Sequence, residues 1–141
     1  MDARPTILLV EDDPSIAALI RDVLTDEGYR VLLAASPTVG CTILAAFRVG
    51  LVLTDGFHDG GDDPWSPLAP LVARAGGTPV MLCSAHSPTV YADHADRGFA
   101  ALLPKPFDLD GLLALVASLL PNGDDAGAAT GAGVGAVLAK G

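Results

Sequence analysis

Acidic residues stand directly after two short apolar runs of the chain. Residues 6–10 are followed by Glu11 and Asp12, and residues 51–54 are followed by Asp55. If folding brings these carboxylates together, they repel one another unless a cation joins them or one of them keeps its proton. Carboxylate oxygens suit Mg²⁺, which retains several waters and also binds phosphate oxygens. The residues therefore predict a Mg²⁺ site at which an aspartate could attack a phosphoryl donor.

A hydroxyl group and an ammonium group could complete that chemistry. Ser84 follows the apolar run 79–83, and Lys105 lies between two prolines just after residues 101–103. Both types of group can bind the oxygens of a transferred phosphoryl group. Taken alone, Asp55 could cap a nearby turn and Ser84 could be structural, but a lysine between prolines is poorly explained as a solvated surface charge. The set as a whole favours phosphoryl chemistry.

The elements that must position these side chains alternate along the chain. Apolar spacing or Ser-Pro starts predict helices that begin near residues 14, 37, 68, 88 and 109, and the apolar runs between them predict strands at 6–10, 29–34, 51–54, 79–83 and 101–103. This alternation predicts an α/β fold with a doubly wound, five-stranded parallel sheet of the flavodoxin-like (βα)5 type, strand order 2-1-3-4-5.

Such a sheet predicts the place of the site. Doubly wound sheets bind ligands beyond the carboxyl ends of the strands where the strand order reverses, here between the first and third strands. Glu11, Asp12 and Asp55 end those two strands, while Ser84 and Lys105 end the fourth and fifth. We therefore expect three acids, a hydroxyl and an ammonium group at one edge of the sheet.

Four segments resemble the signatures of receiver domains, the CheY-like domains of two-component response regulators. Each motif is weak by itself, but their order and separations match the family to within a residue or two. The resemblance covers about residues 6 to 120 and is carried by Leu9-Val10-Glu11-Asp12-Asp13, Leu53-Thr54-Asp55, Cys83-Ser84-Ala85 and Leu103-Pro104-Lys105-Pro106-Phe107.

The resemblance implies a role for each residue of the site. Asp55 would accept a phosphoryl group from a sensor histidine kinase or a phosphotransfer protein. Mg²⁺ would be held by Glu11, Asp12, Asp55 and the backbone carbonyl of Phe57. Ser84 would sense the phosphoryl group and Lys105 would clamp it, with a cis peptide bond between Lys105 and Pro106. A domain of this family is a signalling phosphoacceptor, at most self-phosphorylating and autodephosphorylating, and not a conventional enzyme.

Two positions depart from the family pattern. Receivers usually carry an aromatic residue three positions before the lysine, where this chain has Leu102. They commonly carry a proline four residues after the phosphoacceptor, where this chain has Asp59 in an acidic, Gly-rich loop. We therefore expect the usual relay of the signal to be altered, and the loop to be mobile enough to affect metal binding.

The composition limits the partners and the compartment. Acidic residues outnumber basic residues 17 to 8, and the formal net charge is −9. This charge repels phosphate backbones and anionic lipid headgroups, so we expect no direct binding of nucleic acid or membrane. The early acid Asp2 argues against a signal peptide. Because Cys41 and Cys83 lack metal-ligand spacing, a cytoplasmic protein with free thiols is predicted.

We expect a receiver domain over residues 1–121 and a flexible tail over residues 122–141, which are rich in Gly and Ala. A helix over 134–140 is a weaker alternative for part of the tail. No DNA-binding or catalytic domain follows in this sequence, so a stand-alone receiver would signal by contact with a downstream protein. The sequence leaves the identity of that protein and the formation of a homodimer open.

Other interpretations of the sequence compete with this one. A non-phosphorylated receiver-like interaction module would explain Leu102 and the loop, whereas a small phosphohydrolase would want a second acid where Phe57 stands. Asp13 could bind metal through water or cap the helix that opens at Pro14. The histidines at positions 58, 86 and 94 lack metal-ligand spacing and are expected at solvent-exposed positions.

Overall fold

Strands and helices alternate in the computed structural model, which describes residues 4–57, 63–84, 91–105, 108–120 and the backbone of 137–138. The described strands are β1 (Thr6–Val10), β2 (Arg30–Ala34), β3 (Leu51–Asp55), β4 (Val80–Ser84), β5 (Ala101–Pro104) and β6 (Val137–Leu138). The described helices are α1 (Pro14–Asp26), α2 (Pro37–Ala46), α3 (Ala69–Ala75) and α4 (Leu109–Leu119), and a 3₁₀ helix spans His94–Arg97.

The sheet has the predicted order. Strands β1 to β5 are all parallel and lie in the order β2-β1-β3-β4-β5, which confirms the doubly wound, flavodoxin-like fold. The register pairs Val10 with Thr54 and Asp55 with Cys83, so the carboxyl ends of β1, β3 and β4 lie side by side. The order of the strands thus brings residues distant in the chain to one edge.

A sixth strand was not predicted. Strand β6 pairs antiparallel with β5, with Val137 opposite Leu102. The edge of β5 would otherwise offer unpaired backbone groups, which another strand can satisfy. The alternative of a helix over 134–140 is therefore wrong at residues 137–138, and the rest of the expected tail lies outside the described residues.

The core lies on both faces of the sheet because successive strand residues point to opposite sides. On one face, Ile7 and Leu9 of β1 pack with Leu24 of α1 and residues of α4. On the other face, Leu8 and Val10 pack with residues of α3. Strands β1, β3, β4 and β5 are buried on both sides, which explains why they are nearly continuous apolar runs, whereas the edge strand β2 is partly exposed.

Side-chain caps begin two of the helices where the sequence predicts them. Asp13 Oδ1 accepts hydrogen bonds from the backbone nitrogens of Ser15 at 2.9 Å and Ile16 at 3.2 Å. Ser36 Oγ accepts one from the nitrogen of Val39 at 3.2 Å. The capping interpretation of Asp13 is therefore confirmed.

The segment before β5 differs from its prediction. The sequence predicts a helix from about residue 87 to Gly98, whereas the described residues 91–98 contain no α-helix. They contain turns and the 3₁₀ helix, which is capped by Gly98 with φ +90°. Residues 85–90 lie outside the described part. The expectation of a solvent-exposed His94 is wrong, because the side chain is buried and its Nδ1 lies 3.2 Å from the carbonyl oxygen of Tyr91. An irregular segment has no periodicity that reveals its buried face.

Candidate functional site

Three carboxylates meet at the end of β1 and β3. The parallel pairing of these strands places Glu11 and Asp12 beside Asp55, and one oxygen of each lies within 4.8 Å of the others. Glu11 is buried, Asp55 is half-buried and Asp12 is exposed. The cluster is thus open to solvent on the side of Asp12.

Lys105 joins two of these carboxylates. Its Nζ donates to Glu11 Oε1 at 3.1 Å and to Asp55 Oδ1 at 3.2 Å. Its backbone nitrogen donates to the carbonyl oxygen of Ser84 at 2.7 Å, which fixes the chain beyond β5 against the end of β4. The side chain of Lys105 is 16% exposed, so these ion pairs are only partly screened by water.

The electrostatics of the cluster favour a cation. Burial raises the pKa of Glu11, although hydrogen bonds from the Asp13 nitrogen and from Lys105 act in the opposite direction. Burial also acts to lower the pKa of Lys105, but the charges of Asp55 and Glu11 outweigh it and the pKa is raised. Three carboxylates facing one ammonium group leave an excess of negative charge.

The donor set fits Mg²⁺. Three hard carboxylate oxygens converge at an open rim, and Mg²⁺ accepts one or two carboxylates together with waters and phosphate oxygens. Glu11, Asp12 and Asp55 would hold the ion. The proposed ligation by the carbonyl of Phe57 stays a prediction, but the backbone at that residue is unusual, with φ +56°. A side chain in this left-handed region is strained by roughly 1–2 kcal/mol, so the turn directly after Asp55 is held in place by its surroundings.

Ser84 ends β4 beside Gly56. The serine is 1% exposed, and a Cβ built on Gly56 would lie 3.3 Å from Ser84 Oγ. The same Cβ would collide with the hydroxyl of Tyr91. Only glycine therefore allows Ser84 and Tyr91 to approach the backbone next to Asp55 so closely.

Sequence reasoning missed both Gly56 and Tyr91. The glycine could have been noticed because it directly follows the expected phosphoacceptor, where other groups often need to approach the backbone closely. Tyr91 carries no comparable signal, because it follows residues 85–90 in a segment without clear periodicity. Leu102, by contrast, is buried among the core residues that pack with Tyr91, so the aliphatic residue at that position belongs to the core.

Several expectations concern residues outside the described part of the chain. The cis peptide bond involves Pro106, the acidic loop contains residues 58–62, and two of the histidines are at positions 58 and 86. These expectations stay predictions.

Beneath the site, the buried thiol of Cys83 makes stability sensitive to alkali. Burial raises the pKa of Cys83 from 9.0 to about 12. Below pH 9 the thiol is protonated in both states, whereas between pH 9 and 12 the unfolded chain loses this proton and the folded chain keeps it. The free energy of unfolding should therefore fall with rising pH, by up to about 1.4 kcal/mol per pH unit from this group.

Cys83→Ala should flatten this decrease, measured by urea unfolding at several pH values between 9 and 12. The control is Cys41→Ala, at the other free cysteine, which is only half-buried. Equal slopes in the wild type and Cys83→Ala would contradict the assignment.

In the part of the chain that the structure describes, no helix is both long and apolar enough to cross a membrane. This finding agrees with the short apolar runs of the sequence, each of which ends in a polar residue or a turn.

Comparison with known proteins points to one family. The family model of the response regulator receiver domain matches residues 7–117. The transcriptional regulatory protein GlrR of Escherichia coli is 36% identical over 107 residues, which cover 75% of this chain and 24% of GlrR. The DNA-binding transcriptional regulator NtrC of Rhizobium meliloti is 31% identical over 117 residues, 82% of this chain and 24% of NtrC.

Among solved structures, the chemotaxis response regulator CheY4 of Vibrio cholerae superposes with a TM-score of 0.70. Its sequence identity is 22%, and the match covers 83% of this chain and 99% of CheY4. The likeness therefore concerns the fold. The chain spans about a quarter of the length of the curated relatives it matches.

Proposed function

Because the chain belongs to the response regulator receiver family, we propose that Asp55 accepts a phosphoryl group in a Mg²⁺-dependent reaction. The chain is a receiver domain, a signalling domain rather than a conventional enzyme. The proposed donor is a phosphohistidine on a sensor histidine kinase or on a phosphotransfer protein.

One observation carries the proposal: Asp55 lies within a cluster of carboxylates and is also held by an ammonium group. Its Oδ1 accepts from Lys105 Nζ at 3.2 Å, while Glu11 and Asp12 lie beside it. This arrangement supports the proposal, because a carboxylate that can act as a nucleophile, acids that can hold a metal ion and an ammonium group that can bind phosphate lie close together.

The reaction follows from these groups. A carboxylate oxygen of Asp55 forms a bond to phosphorus, and the bond from phosphorus to the donor nitrogen breaks, with the electron pair leaving on nitrogen. Mg²⁺, when bound, offsets the negative charge that the phosphoryl group brings to the carboxylates. Lys105 holds the Asp55 carboxylate and lies where it can also bind a transferred oxygen. Ser84, at the end of the neighbouring strand, can donate its hydroxyl proton to another.

The effect of phosphorylation is proposed in less detail than the chemistry at Asp55. We propose that residues 1–121 act as the receiver unit and that its phosphorylation alters contact with a downstream protein. The relatives GlrR and NtrC are described as transcriptional regulators, and NtrC as DNA-binding. The net charge of −9 does not favour direct contact between this chain and DNA. Protein contact is therefore the proposed route, whether to a separate protein or to a further part of the same polypeptide.

The proposal is tested with acetyl phosphate as donor. With Mg²⁺, intact mass spectrometry should show one phosphoryl adduct, and peptide mapping should place it on Asp55; a chelator should abolish it. Absence of the adduct would favour a non-phosphorylated interaction module. Sustained release of phosphate from simple phosphoesters would favour a phosphohydrolase.

A matched pair of variants tests the metal pocket. Asp12→Asn and Asp13→Asn each remove one negative charge at neighbouring positions, but only Asp12 belongs to the carboxylate cluster. Asn at position 13 still caps α1. We expect Asp12→Asn to raise the Mg²⁺ concentration needed for half-maximal phosphorylation by roughly tenfold or more, since a ligand charge is lost. A similar increase in both variants would argue against a specific role of Asp12.

A further inference from the structure

Tyr91 is a buried residue whose hydroxyl group is not needed for packing of the core. Its side chain is 0% exposed, and its hydroxyl oxygen has no hydrogen-bond partner of acceptable geometry among the described residues. A buried hydroxyl without a partner is costly, and native proteins rarely keep one without a reason. Phenylalanine would fill the same space without this cost.

The hydroxyl lies next to the proposed phosphoacceptor. It abuts the backbone of Gly56, the residue after Asp55, at a position where a Cβ would collide with it. The Ser84 hydroxyl lies beside the same glycine, because that Cβ would also be 3.3 Å from Ser84 Oγ. Burial raises the pKa of Tyr91, Ser84 acts to lower it, and the charge of Asp55 acts to raise it. The pKa of Tyr91 is raised as a result, so the phenol is protonated at neutral pH and can donate a hydrogen bond.

The ring of Tyr91 is held by an aromatic neighbour. Trp65 packs against it edge-on, with ring centroids 4.9 Å apart. Trp65 is itself fixed, because its Nε1 donates to Asp93 Oδ1 at 3.0 Å and the guanidinium of Arg97 lies 5.6 Å from the centroid of its ring. The direction of the phenol is therefore set by packing before any phosphoryl group arrives.

We propose that Tyr91 is a positioning residue for Ser84. When a phosphoryl group is on Asp55, the phenol hydroxyl of Tyr91 donates a hydrogen bond to Ser84 Oγ. A serine hydroxyl has one proton to donate and two lone pairs to accept with. If the phenol donates to Ser84 Oγ, the single proton of Ser84 is directed to a phosphoryl oxygen. Hydrogen bonds in such a chain strengthen one another. The inference rests on the proposed phosphorylation of Asp55.

Trp65 can report on the proposed hydrogen bond through its fluorescence. It is the only tryptophan of the chain and touches the ring of Tyr91. Formation of the hydrogen bond between the phenol and Ser84 should therefore change the fluorescence of Trp65. Leu102 cannot contribute an aromatic ring to such a relay, so Tyr91 brings the phenol to the site from a different segment of the chain.

The test uses Tyr91→Phe, which keeps the ring and removes only the hydroxyl. Beryllofluoride, an analogue of the phosphoryl group, is titrated in the presence of saturating Mg²⁺ and followed by Trp65 fluorescence and by NMR. We expect Tyr91→Phe to weaken beryllofluoride binding by about five- to tenfold, the usual effect of one hydrogen bond, while the affinity for Mg²⁺ alone is unchanged. The control is Tyr29→Phe, at the other buried tyrosine, which packs on the opposite face of the sheet.

A double-mutant cycle separates positioning from packing. In the background of Ser84→Ala, Tyr91→Phe should have no further effect on beryllofluoride affinity, because its action passes through Ser84. Additive losses, or wild-type affinity in Tyr91→Phe, would overturn the proposal. Thermal unfolding should show Tyr91→Phe at least as stable as the wild type, so that a weaker affinity cannot reflect a damaged fold. Failure of the wild type itself to bind beryllofluoride with Mg²⁺ would instead overturn the proposed function, and this inference with it.

Discussion

Replacing Asp55 with Asn is expected to abolish phosphorylation of the chain by acetyl phosphate or by a phosphorylated kinase. The amide has a similar shape but is a poor nucleophile and a weaker ligand for Mg²⁺. Loss of the nucleophile in covalent catalysis removes most of the rate enhancement, so we expect the rate to fall by roughly 10⁴-fold or more. Intact mass spectrometry over a time course with Mg²⁺ measures the rate directly.

The control for this variant is Asp26→Asn, which removes the same charge from an exposed position at the end of α1. It should be phosphorylated at the wild-type rate. Far-ultraviolet circular dichroism should show both variants folded. An adduct of normal stoichiometry on Asp55→Asn would show that another residue is the phosphoacceptor.

Replacing Lys105 with Met is expected to move two measurements in opposite directions. Nζ of Lys105 contacts both Glu11 and Asp55. Methionine keeps much of the length of the side chain but removes the charge that binds the phosphoryl oxygens. The rate of phosphorylation should fall by roughly 10²- to 10³-fold, as when one donor to the transition state is removed. The affinity for Mg²⁺ should rise, since the ammonium group no longer offsets the carboxylates.

Isothermal titration with Mg²⁺ and the acetyl phosphate assay measure these two effects. Lys140→Met is the control at the other lysine of the chain and should change neither. If Lys105→Met lowered Mg²⁺ affinity and phosphorylation together, the lysine would be serving to hold the carboxylates in place rather than to bind the phosphoryl group.

Much of the fold could be predicted because strands β1, β3, β4 and β5 are buried on both faces. Such strands are continuous apolar runs, and each one here ends at a change of composition that is visible in the sequence, as at Val10 and Glu11. The boundaries of β1 were predicted to the residue, and those of β2 to β5 within one residue at either end. The segment 91–98 was predicted less well, because a short 3₁₀ helix has no regular apolar face.

The position of the candidate site could also be predicted from topology. Parallel strands joined by right-handed crossovers have their carboxyl ends at one edge, so residues that end β1 and β3 must lie near one another. The structure places Glu11, Asp12 and Asp55 together as expected, and Lys105 contacts the first and the last of them. Their roles in phosphoryl transfer are what the experiments above test.

The sequence by itself determined the class of fold, the strand that each acid ends and the departure at position 102. Tertiary structure alone decided that Lys105 bridges Glu11 and Asp55, that His94 is buried, and that Tyr91 reaches Gly56. The physical reason is that the first group of features depends on residues close together in the sequence, whereas the second depends on residues that are far apart in it. Periodicity and composition report whether a segment is helical or extended and which face it buries. Contacts between side chains from separate segments depend on how those segments pack, which no local pattern records.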